Sequence, residues 1–106
     1  MSIERKQSIY ERMSHERIKV VCAQIDILGH YDPEGRERRV QELYNISHKS
    51  LIVEPSEKSI EEMDELVRKY QRELTDYRKR NPNVEERDEI KEKFGELEKL
   101  SGSCSF

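Results

Sequence analysis

Between Ser56 and Arg80 the apolar residues Ile60, Met63, Val67, Tyr70, Leu74 and Tyr77 recur in alternating steps of three and four, and most of what separates them is Glu, Lys, Arg or Asp. That spacing is a heptad seam, with Ile60, Val67 and Leu74 at a and Met63, Tyr70 and Tyr77 at d. A helix carrying one narrow apolar stripe is stable only when the stripe lies against something. The segment therefore commits the chain to helix-on-helix packing, and the rest of the sequence has to supply the partners.

The first partner is a long helix predicted over residues 3–28, with Ser2 as its N-cap and Gly29 as its stop. Ile9, Met13, Val20 and Ile27 form one row on it, and Tyr10, Val21, Ile25 and Leu28 form a second row alongside. So wide a face suits a helix lying between two neighbours rather than one at a two-stranded seam. A strand over Ile18–Leu28 is the competing reading, given its Val and Ile content. The helix is preferred because Ile9 and Met13 continue the same rows.

Asp32 and Pro33 carry helix-start chemistry, an N-cap acceptor followed by a residue suited to the first helical position, and predict a second helix over 33–47. Val40, Leu43, Tyr44 and Leu51 are its apolar positions, and Asn45, Ser47, His48 and Ser50 weaken its end. Leu51–Pro55 reads as an extended connector, because Pro55 disfavours helix at Glu54. Ser56 then caps the third helix, 57–80. Asn81-Pro82-Asn83 is a break, and Asn83 with Glu86 resembles a capping box for a fourth, weaker helix over 84–100, in which Ile90, Phe94 and Leu97 form the stripe and Gly95 costs about 1 kcal/mol relative to Ala. Residues 101–106 are expected to fray. The fold class predicted is all-α: one domain, an antiparallel bundle of three main helices plus a weaker C-terminal one, completed by oligomerisation because the apolar rows exceed what 106 residues can cover.

Arg17 and Gln24, seven residues apart, fall between the two apolar rows at the middle of the widest face. An unpaired buried guanidinium is costlier than its surroundings can offset. Three outcomes are open: a partly buried face with the Arg17 head in water, an ion pair with a carboxylate on another helix, or a central axis or ligand at which Arg17 and Gln24 specify register. The first is the preferred expectation. Tyr10, Tyr31, Tyr44, Tyr70 and Tyr77 all fall at apolar-face positions, which suits core edges and interfaces where a ring is buried and its hydroxyl reaches a partner. Tyr10, Arg17, Gln24, Tyr70 and Tyr77 are accordingly the predicted partner or oligomer interface.

Arg36, Arg38 and Arg39 give the second helix a basic patch near its start, where positive charge is slightly unfavourable against the helix dipole. Contact with phosphate or nucleic acid is possible there but not favoured, because Glu34, Glu37 and Glu42 are interleaved and the net charge is -3. Cys22, Asp26 and His30 follow one another at steps of four, yet Gly29 is expected to end the helix before His30 and no fourth ligand is evident, so no metal is assigned. Cys22 and Cys104 have no paired spacing and read as free thiols. No phosphate loop, nucleophile elbow or zinc-protease motif occurs, and no cofactor or enzymatic activity is expected. No apolar run reaches membrane-spanning length and the first residues lack a signal-peptide core, so the expected compartment is the cytoplasm, with no membrane partner. The function expected is that of a small helical regulator, inhibitor or adaptor of bacterial or phage style, a non-enzymatic protein interaction module acting as a homo-oligomer on a protein of unknown identity.

Overall fold

The stripe of the third helix is covered chiefly by the broad face of the first. In the computed structural model, which describes residues 2–81 and 88–103 with the side chains of 9–81 and 88–102, the chain is all-α. Helix α1 spans Ser2–Tyr31, α2 Arg36–His48, α3 Glu57–Arg80 and α4 Asp88–Ser103. A 3-10 turn, Pro33–Gly35, leads into α2 and a π turn, Lys49–Val53, leads out of it.

The directions alternate. Arg17 meets Asp64, Gln24 meets Val67 and Tyr31 stacks on Tyr77, so α1 and α3 run parallel. Arg39 meets Glu73, Glu42 meets Tyr70 and Lys49 meets Glu62, so α2 returns antiparallel to them. Helix α4 turns back again, with the Arg78 guanidinium over the Phe94 ring at 4.4 Å and Lys93 on Asp26 of α1. All three other helices touch α1, which is the neighbour-on-several-sides role its width implied.

The core follows from the two periodicities. Val20, Val21, Ile25, Ile27 and Leu28 of α1 pack with Met63, Leu66, Val67, Tyr70 and Leu74 of α3, and Leu43 and Leu97 close the cluster from α2 and α4. Five of the six seam residues of α3 are buried and Tyr77, at its end, is half-buried. The rows expected to await a second molecule are largely sealed within one chain, which corrects the premise that they exceed what it can cover.

Several boundaries differ from expectation for identifiable reasons. Gly29 does not stop α1, and no glycine among the described residues has positive φ. The helix continues until Asp32, whose N–H donates to Leu28 O at 2.8 Å, and Pro33 ends it. Asp32 does not cap the 3-10 turn with its side chain; its carboxylate receives Arg39 instead. The connector 51–55 is not extended from Leu51. Helical turns persist to Val53, closed by Glu54 N–H donating to Lys49 O at 2.8 Å, and only Glu54 breaks away ahead of Pro55. Helix α4 runs on through Ser103, so 101–103 is helix; the Asn83–Glu86 capping box and Cys104 lie outside the described residues.

Ser56 caps α3 as anticipated. Its hydroxyl accepts from the Ser59 N–H at 3.3 Å while the Ser59 hydroxyl accepts from the Ser56 N–H at 3.1 Å, a reciprocal box with Ser in the place usually taken by Glu. Ser56→Ala is expected to cost about 1 kcal/mol, read as a drop of roughly 4–8 °C in thermal midpoint by circular dichroism.

Candidate interaction surface on the second helix

Residues 40–53, VQELYNISHKSLIV, hold two charged residues in a chain that is 41% charged. Both are tied to α3. Glu42 accepts from the Tyr70 hydroxyl at 2.6 Å and from Lys69 at 2.9 Å, and Lys49 donates to Glu62 at 2.9 Å. Burial alone would raise the Glu42 carboxyl, but the bonds from Tyr70 and Lys69, with the charges of Lys69 and Arg38, outweigh it and hold it below the usual carboxylate value. Burial first, and then the bond to Glu42, push the Tyr70 hydroxyl far above the ordinary phenol range. The hydrogen bond to Glu62 raises Lys49. At neutral pH these groups stay in the states that bind them to α3 or to one another.

What the segment turns to solvent is consequently neutral. Val40 is 48% exposed, Tyr44 62%, Ile52 69% and Val53 66%. Val40, Tyr44, His48 and Ile52 recur every fourth residue, and the rings of Tyr44 and His48 stack with centroids 6.2 Å apart. The π turn matters to this row. An α-helical step would carry the row round by about 40° every four residues, and the wider turn after His48 takes up most of that drift, so Ile52 stays on the side of Tyr44. Ser50, fully buried, donates to Ser47 O and holds the inner side of the turn.

The inner row of α2 is Arg39, Leu43, Ile46 and Ser50. Arg39 is 1% exposed: its Nη2 donates to Asp32 at 3.1 Å and to Glu73 at 3.2 Å, and its Nη1 donates to Asp32 O at 3.3 Å. Burial opposes the charge, but the bond and field of Glu73, with Tyr77 and Asp32, more than compensate and raise its pKa. Gly35 lies beneath this cluster, where a β-carbon would strike the Asp32 carboxylate and stand 2.8 Å from Arg39 Nη1, so a larger residue there would have to displace the ends of the paired side chains.

The predicted interface residues are mostly spent inside the chain. Arg17, 3% exposed, is paired with Asp64 and donates to Met13 O at 3.1 Å, so the second of its three outcomes holds and the preferred one, a head in water, does not. Gln24 is buried and donates to Val67 O at 3.0 Å. Tyr70 is buried under α2. None of these three is on a surface of the chain: each makes a hydrogen bond to a neighbouring helix, although the Gln24 side-chain oxygen is buried without one. Tyr10 is half-buried, as is Tyr77, which carries Tyr31 on one ring contact and Arg80 on another. Tyr44 lies outside rather than on a core edge. The basic patch is divided: Arg36 and Arg38 are exposed, while Arg39 is internal and unable to reach phosphate. On the stripe of Cys22, Asp26 and His30, α1 does reach His30, and the Lys93 ammonium lies 2.8 Å from Asp26 and 3.2 Å from His30 Nε2.

Two hollows flank α2. One of about 730 Å³, against α3, sets Glu42, Glu62 and Glu65 among Arg68, Lys69 and Arg72, charges of both signs with no single-sign field. The other, about 440 Å³, against α1, has Cys22, Ala23, Ile25, Val40 and Leu43 as its apolar members, with Asp26 and Arg36 as its charged ones. Val40, Tyr44, Ile52 and Val53 were not selected as a surface from the sequence; the signal that would have found them is the dearth of charge from 40 to 53. Comparison of the chain with protein-family models, with curated proteins and with solved structures gives no match.

Proposed function

We propose that the protein is a non-enzymatic interaction module, a small helical regulator, inhibitor or adaptor that meets another protein through the outward face of α2 and its π turn. The observation that carries the reading is that Val40, Tyr44, Ile52 and Val53 are exposed while the charges of the same segment are held against α3. Depletion of charge is a compositional mark of the centre of a protein-binding patch, and a row this apolar is unusual on so polar a chain. The rigid bundle beneath presents the row in one geometry, so little ordering cost is left for binding.

The test is affinity capture from the native host followed by mass measurement of the intact assembly. Wild-type protein is expected to retain a bound protein, a further copy of the chain or a different one, and Tyr44→Glu to lose it with unchanged helical signal and melting. Equal retention by Tyr44→Glu overturns the reading. The exposure of Arg36 and Arg38 supports a second reading, a nucleic-acid contact at the start of α2, though exposed Glu34 and Glu37 accompany them. That reading requires binding that weakens steeply with salt and fails in Arg36→Ala/Arg38→Ala.

A further inference from the structure

The outward row of α2 has a knob at one end and a hollow at the other. Ile52 stands out in solvent beside Glu54, and the apolar hollow of about 440 Å³ includes Val40, with Arg36 beside it. We propose that the partner of this face is a second copy of the chain, docked with α2 antiparallel to α2. The inference rests on the reading of α2 as a docking face and names its occupant.

The face is complementary to itself. A two-fold interface brings each patch against the same patch reversed, so a feature at one end must fit the feature at the other. Reversing the row about its midpoint, between Tyr44 and His48, sets Ile52 of one protomer opposite Val40 and the hollow of its partner, and repeats the fit at the other end. The same operation brings exposed Glu54 opposite position 38, within two residues or about 3 Å along the axis of exposed Arg36, opposite charges at both rims. In the middle the stacked plates of Tyr44 and His48 face one another with no fixed charge to repel. The row rises in steps of four, and ridges of that step pack into each other with the axes crossing at about 50°. A patch of this size is smaller than the roughly 800 Å² per partner of a tight complex, so the dimer forms reversibly, with micromolar or weaker affinity.

Sedimentation and light scattering across a concentration series test it. The wild-type chain of 12.7 kDa is expected to shift toward twice that mass as concentration rises into the hundreds of micromolar. Ile52→Asp is expected to hold it at the monomer mass with the same melting curve, since the side chain is 69% exposed. Arg36→Glu and Glu54→Arg are each expected to weaken association about tenfold, and the two together in one chain to recover it, which only self-pairing in this register allows. In a Cys104→Ser background, Ile52→Cys is expected to form an intermolecular disulfide with Cys22 on mild oxidation. A wild-type chain monomeric throughout overturns the self-pairing. So does a dimer that Ile52→Asp leaves intact. A monomer whose capture of a different protein is lost in Tyr44→Glu overturns it too, while the reading of the face as a docking surface stands.

Discussion

Asp64→Ala is expected to lower the free energy of unfolding by about 3–5 kcal/mol, because it leaves the Arg17 guanidinium, 4% exposed at its side chain, buried without its carboxylate. For a chain of this size the thermal midpoint should fall by roughly 12 °C or more. The companion variant separates the two costs in the pair. With Arg17→Met and Asp64→Leu together, both desolvation penalties vanish and apolar volume replaces the ions, so stability is expected within about 1 kcal/mol of wild type or above it. Denaturant unfolding of the two single variants and the double gives the coupling directly. A cost below about 1 kcal/mol for Asp64→Ala would mean that water reaches Arg17 and that the centre of the α1 face is not sealed.

Leu28→Ala carries the second large effect. Leu28 is fully buried where α1 meets its neighbours, and truncation removes transfer energy and leaves a void that packed helices close only in part, an expected loss of about 2–5 kcal/mol. Ile52→Ala removes a side chain of the same size from the outward row and is expected to change monomer stability by no more than about 0.5 kcal/mol. Paired thermal melts at low concentration read the contrast. Similar losses at both positions would contradict the division of the apolar residues into an inner core and an outer row.

The heptad of α3 was legible because six of its apolar residues, all but Leu66, keep the three-four spacing in a segment rich in charge, and every one of them is at least half-buried. The two rows of α1 were legible for the same reason. Helix α2 was not. Its inner row begins on Arg39 and ends on Ser50, so a reading by hydrophobicity shifted the apolar face onto Val40 and Tyr44, which are outside. Arg39 pairs with Asp32 close by, but its pair with Glu73 and that of Arg17 with Asp64 join residues more than thirty positions apart, and local periodicity carries no trace of them. Gly29 misled because a helix stop depends on what the chain does next, and here Asp32 and Pro33 end α1 at Tyr31, beyond the point that glycine alone implies.

The polar middle of α1 also bears on how the molecule comes to exist during synthesis. Arg17 and Gln24 meet Asp64 and Val67, 47 and 43 residues downstream, so a nascent chain that has made only α1 and α2 lacks the carboxylate and the carbonyl that let these two groups be buried, and the centre of the α1 face stays open to water. No stable half-protein precedes the arrival of α3. A fragment ending before residue 64 is expected to expose that face, and so to be a substrate for chaperone or protease.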